Sequence, residues 1–122
     1  MNPSLSATRL GAGIAVVFAA LAVAVPALAT PARTTAAAVK VTASEFKFVL
    51  STKTATHGTV VFTVVNKGKL AHDFKIGGKK TAMLAPGKSG KVTVTLKAGK
   101  FPYLCTVPGH AAAGMKGTFV VK

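Results

Sequence analysis

From Lys91 to Lys97 the chain alternates without a break, with Val92, Val94 and Leu96 on one side and Lys91, Thr93, Thr95 and Lys97 on the other. A repeat of two residues puts successive side chains on opposite faces of a strand, and it cannot form one apolar face of a helix. The same period recurs at Val39, Val41 and Ala43, at Phe46 and Phe48 against Glu45, Lys47 and Val49, at Val60, Phe62 and Val64, and at Phe119 and Val121. Between these runs stand His57-Gly58, Asn66-Lys67-Gly68, Gly77-Gly78, Pro86-Gly87, Ser89-Gly90 and Ala98-Gly99, residues that supply turn conformations. Short alternating strands with such punctuation predict an all-β domain: an antiparallel sandwich or barrel of about seven or eight strands. Nothing after residue 38 supports a long helix, an internal repeat or a second domain.

The start of the chain reads differently. Arg9 precedes an apolar run from Ile14 to Val25, followed by Pro26 and the small-residue site Ala27-Leu28-Ala29. This layout predicts a secretory signal peptide over residues 1–29 and therefore an extracytoplasmic protein. An uncleaved anchor is the rival, since Leu10 to Ala29 carries no charge. Alanine and glycine make the run only mildly apolar, and the Ala-x-Ala ending favours cleavage, which leaves no transmembrane segment. Residues 30–38, rich in Ala, Thr and Pro, read as a flexible lead, and residues 39–122 as one small domain, expected to be a monomer.

Charge bounds the partners. Sixteen Lys and Arg stand against two acids, a formal net charge of +14, and removal of the leader would take away only Arg9. Nucleic acid is the usual partner of such a balance. Here a secretory leader argues against it, and the lysines are scattered rather than interleaved with stacking aromatics. The expected partner is an anionic redox protein or an anionic cell-envelope surface, attracted most strongly at low salt.

Cys105 is the only cysteine, so it makes no internal disulfide, and a free thiol is a liability in an oxidising compartment. Its neighbours suggest another use. Cys105-x4-His110-x4-Met115 sets a thiolate, an imidazole and a thioether close together, and a second imidazole, His72, lies upstream in Leu70-Ala71-His72-Asp73-Phe74. Two His, one Cys and a weakly held Met are the ligand set of a blue-copper electron-transfer site. Strand parity puts Phe101, Tyr103 and Cys105 on one face. Pro108-Gly109 then turns the chain to present His110 from a loop. Zinc would use four strong ligands, or three and a water, and a thioether suits it poorly; it remains a possible inert substitute. His57 reads as a solvated turn residue, Met83 as core and Asn66 as a turn residue.

The Asn66-x5-His72 segment and Tyr103-x-Cys105-x4-His110-x4-Met115-Lys116-Gly117 resemble the cupredoxins, the family of plastocyanin, azurin, pseudoazurin and plantacyanin. The resemblance covers roughly Val39 to Lys122. It implies a Greek-key β-sandwich with one copper ion held by His72, Cys105 and His110 and, axially, by Met115. The Cys-to-His gap is similar to that of azurin and plantacyanin and longer than the plastocyanin pattern. In this family the residue after the first His often ties its loop to the Cys loop, which implies a hydrogen bond from Thr106 to Asp73; the alternative is an exposed Asp73 near Lys75. Many relatives carry Asn at this position, and an acid would lower the copper potential. The family's loop His commonly reaches the surface in an apolar patch, here Pro108, Ala111, Ala112 and Ala113, unless the alanines merely fill the loop.

The expected function is one-electron transfer outside the cytoplasm, with copper storage or delivery as the alternative. Catalysis is not expected, because Cys105 is used as a ligand and residues 39–122 leave no room for further copper centres.

Overall fold

A computed structural model describes residues 11–30 and 35–122. The basic start expected for the leader, within residues 1–10, and residues 31–34 of the expected lead lie outside the described residues. Two units divide the chain, Met1–Pro31 and Ala32–Lys122. In the first, residues 11–30 have no regular secondary structure, and Ile14, Phe18 and Leu28 are exposed. Among the described residues no helix is long and apolar enough to cross a membrane.

The second unit is built from strands alone. They run β1 (Ala37–Ser44), β2 (Lys47–Leu50), β3 (Thr54–Ala55), β4 (Gly58–Asn66), β5 (Lys75–Ile76), β6 (Lys79–Lys80), β7 (Ser89–Leu96), β8 (Gly99–Leu104) and β9 (Lys116–Val121). One sheet has the order β2-β1-β4-β7 and the other β3-β9-β8-β5-β6. After β4 the chain crosses to the second sheet for β5 and β6, returns for β7 and crosses again for β8 and β9: a Greek-key sandwich. Two pairs, β1 with β4 and β3 with β9, are parallel, so the sheets are mixed rather than wholly antiparallel. Alternation reports which face of a strand is buried and carries no information about its partner's direction. β1 takes in Ala37 and Ala38, the last two residues of the stretch read as a lead.

The alternation in the sequence is the alternation of the core. Val39, Val41, Ala43, Val60, Phe62, Val64, Val92, Val94 and Leu96 point inward from one sheet, and Ile76, Tyr103, Phe119 and Val121 from the other. Phe62 lies between Phe74 and Phe119, with ring centroids 5.2 and 5.1 Å away.

One stretch departs from the expected pattern. Glu45 and Phe46 are not strand residues: they form the two-residue turn of the β1–β2 hairpin, in which Ser44 pairs with Lys47. No Gly, Pro or Asn marks this turn. It carries Glu45 and Phe46 to the end of the sandwich where the candidate ligands collect. Met83, expected in the core, is 55% exposed, because Leu84 beside it takes the inward position.

Candidate metal centre

The register of β5 against β8 begins the site. Lys75 pairs with Leu104 and Ile76 with Tyr103. Continued outward, that antiparallel register sets Asp73 opposite Thr106 and brings the His72 segment beside Cys105. The Asp73 carboxylate spans the gap. Its Oδ1 accepts the Thr106 backbone N–H at 2.6 Å, and its Oδ2 accepts the Thr106 hydroxyl. Such a bond fixes the segments that carry ligands rather than touching a metal itself.

His72 is held from its other side by Leu84. Their backbones exchange both hydrogen bonds, at 3.0 and 2.8 Å. Asn66, at the end of β4, clamps this arrangement: its Nδ2 donates to the carbonyls of Leu70 and Leu84, and its Oδ1 accepts the Gly68 N–H. The sequence suggested a turn residue, and Asn66 does shape a turn. It is also fully buried with every polar atom used, which composition alone does not reveal.

The connection from β8 to β9 supplies the other candidates. Cys105 donates its backbone N–H to Met115, and Met115 donates its own to His110, both at 3.1 Å. Between them the alanines wind into a tight turn in which the Ala113 N–H reaches the carbonyls of Gly109 and His110. Gly114 is required here. Its φ is 126°, and a Cβ would lie 2.9 Å from the Phe46 carbonyl oxygen. Pro108, Gly109, Ala112 and Ala113 are exposed, Ala111 and His110 half-buried, and the Phe46 ring meets His110 edge-on at 5.1 Å. The alanines thus both form the turn and face outward as an apolar surface.

Three donor atoms converge. His72 Nδ1 lies 3.1 Å from His110 Nδ1, and Cys105 Sγ lies 3.7 Å from His110 Nδ1. One ligand atom from each of the three residues falls within 4.8 Å of the others, close enough for one ion to bind all of them. His72 and Cys105 are buried and His110 half-buried, which shields such an ion from water. Met115 is fully buried and bonded through its backbone to both Cys105 and His110. His57 stands apart, exposed, with Nδ1 3.1 Å from the Lys122 carbonyl oxygen.

The residue that sequence reasoning missed is Glu45. Its Oε1 lies 2.9 Å from His72 Nε2 and accepts the backbone N–H groups of Lys69 and Leu70 at 2.8 Å. These bonds, that of Leu70 first and then that of His72, hold its carboxyl down at about 2. Burial pushes the Cys105 thiol up, while backbone N–H bonds from Asp73 and Val107 pull the other way.

A thiolate and two imidazoles form a mixed soft and borderline donor set that suits copper in either oxidation state. The comparisons with known proteins agree with the geometry. Residues 33–122 match the family of copper-binding proteins described as plastocyanin/azurin. Auracyanin-B of Chloroflexus aurantiacus is 57% identical over 42 residues, 34% of this chain and 18% of that protein. The copper-resistant cuproprotein CopI of Rubrivivax gelatinosus is 31% identical over 108 residues, 69% of this chain and 66% of that one. The chain therefore spans less than two thirds of either relative. Among solved structures, auracyanin B superposes with a TM-score of 0.61 at 28% identity, over 73% of this chain and 91% of that one. The dithionite-reduced auracyanin of Roseiflexus castenholzii gives 0.61 at 24% identity, over 71% and 98%, a likeness of fold.

Proposed function

The chain belongs to the plastocyanin/azurin family of copper-binding proteins, and from that premise we propose that it is a one-electron carrier acting outside the cytoplasm through a type 1 copper site. The observation that carries this reading is the convergence of His72 Nδ1, His110 Nδ1 and Cys105 Sγ at one end of the sandwich. Copper supplies the one-electron Cu(II)/Cu(I) couple. The chain's part is to keep its donors in place through the change of charge. Asp73, Asn66 and the Leu84 pairing hold His72, while the Cys105–Met115 backbone bond closes the loop. Met115, buried in the same loop, would supply a weak thioether donor to the bound ion. With Cys105 spent as a ligand, the protein carries electrons without catalysis of its own. The apolar run from Ile14 to Val25 and the site before Thr30 support export by a cleaved signal peptide.

The test is a titration of the purified domain with copper(II). An intense visible thiolate band, bleached by ascorbate and restored by air, is the expected result. The copper-resistance protein among the relatives favours a second reading, copper storage or delivery. A colourless protein that retains copper(I) would replace the first reading with the second.

The half-buried His110 within its apolar rim is the point of electron entry, and the outer face of the five-stranded sheet is where an anionic redox protein would be attracted. There Lys80, Lys75, Leu104 and Lys116 form one cross-strand row, with all three lysines exposed. Beside it runs an apolar groove lined by Gly77, Gly78, Phe101 and Pro102. No acid offsets this charge, because the only two, Glu45 and Asp73, are hydrogen-bonded at the metal end. Ferricyanide should therefore oxidise the reduced protein faster than a cationic cobalt complex of equal driving force, with a rate that falls as salt is added. Lys75→Glu with Lys116→Glu should reduce that salt slope; an unchanged slope would remove this face from the account.

A further inference from the structure

Glu45 is built into the metal end more closely than a solvent-facing acid needs to be. The β1–β2 turn delivers it, its side chain is only 28% exposed, and Oε1 receives three donors: the Lys69 N–H, the Leu70 N–H and His72 Nε2. The opposing loop makes room for it. A Cβ at Gly68 would overlap the carboxylate, so a side chain there would have to push Glu45 aside. Two of the three bonds secure the loop. The third falls on the imidazole nitrogen opposite the one that faces the donor cluster.

That third bond decides where the proton on His72 sits. A neutral imidazole carries one proton, and a carboxylate only accepts. The bond to Glu45 thus places the proton on Nε2 and leaves the Nδ1 lone pair directed at His110 and Cys105. For the 3.1 Å contact between the two Nδ1 atoms to be a hydrogen bond, His110 must then be its donor. The cluster holds one histidine ready to ligate before any metal arrives.

We propose that Glu45 is a positioning residue for copper, fixing the tautomer and ring orientation of His72 and, through that ring, biasing the site toward Cu(II). The proposal rests on the copper reading above. A full negative charge hydrogen-bonded to a ligand makes that ligand more basic and stabilises the more highly charged ion. Asp73 differs in kind, since its carboxylate bonds to the Thr106 backbone and hydroxyl.

The experiment compares wild type, Glu45→Gln and Glu45→Ala in the intact domain. Nitrogen NMR of the copper-free protein reads the His72 tautomer, and redox titration of the copper-loaded protein reads the potential. Wild type should show a single Nε2–H form. Glu45→Gln keeps an acceptor and removes the charge, so it should retain that form while the Cu(II)-over-Cu(I) preference falls about tenfold, a rise of about 59 mV for one electron. Glu45→Ala should mix the tautomers and weaken copper binding by roughly 10–100-fold. An unchanged potential in Glu45→Gln overturns the proposal, and so does a pure Nε2–H form in Glu45→Ala. If the alanine variant does not fold, Glu45→Gln alone decides. A wild type with no thiolate band would refute the electron-carrier reading, while the copper-free spectra would still judge the positioning.

Discussion

Cys105→Ser will fold and will develop no blue or green band with copper. The argument begins with size: the Cys105 side chain is 1% exposed, and a hydroxyl fills nearly the same space as a thiol. The Asp73–Thr106 and Cys105–Met115 bonds that shape the site use atoms that the substitution leaves in place. What disappears is the only thiol in the chain, and with it the only group that could give copper a thiolate. A serine hydroxyl does not ionise to replace it near neutral pH, and the intense visible band depends on thiolate-to-copper charge transfer. Binding at the two histidines will weaken as well, and reduction by ascorbate will no longer cycle reversibly. A second measurement separates the thiolate from mere packing. Burial pushes the thiol up, so copper binding is expected to displace a proton from it. Calorimetry in two buffers of different ionisation enthalpy should show about one proton released by wild type and none by the serine variant. A serine variant that kept the band would remove Cys105 from the centre.

Phe62→Ala will remove a large share of the copper-free domain's stability. Phe62 is fully buried at the middle of β4, and its ring meets Phe74, which immediately precedes β5, and Phe119 of β9. Truncation loses both the transfer of a large ring and the packing around it, and typically costs ~3–5 kcal/mol. Small domains have about 5–15 kcal/mol in all. The cavity would also open beside Phe74, two residues from His72, so the damage should reach the ligand cluster. Copper binds the folded form and should restore part of the lost stability. Denaturant midpoints with and without copper test this: a small drop that copper does not reduce would show that the core and the site are uncoupled.

The sequence made the strands legible because burial follows parity, and parity is local. It also exposed the candidate ligands of the β8–β9 loop, where Cys105, His110 and Met115 lie within a few residues of one another. The rest depends on what folding brings together. Parity is silent on strand direction, so the parallel pairing of β1 with β4 is not visible in it. The turn at Glu45 and Phe46 has no glycine, proline or asparagine, and its alternation with Phe48 imitates a continuous strand. Glu45 meets His72 only because a hairpin tip and a loop from another part of the chain reach the same end. Asn66 looks like any turn residue until its buried partners, Leu70 and Leu84, are seen. The Asp73–Thr106 bond is legible through the family resemblance, because both residues adjoin candidate ligands.

The parallel seam between β1 and β4 has a consequence for the order in which the molecule can assemble. β1 and β2 are joined by a two-residue turn, so their pairing is local, although a lone two-stranded hairpin is only marginally stable in water. The hairpin's place in the sheet does not exist until β4 is made, because Ala37 to Ala43 dock alongside Val60 to Asn66. Closing that intervening loop costs chain entropy before the contacts return it, which makes the step slow relative to the hairpin. β1 and β2, the first strands in sequence order, are therefore seated late. Glu45 and Phe46 travel at the hairpin tip, so the end of the sandwich that gathers the ligands is completed only when these strands come home.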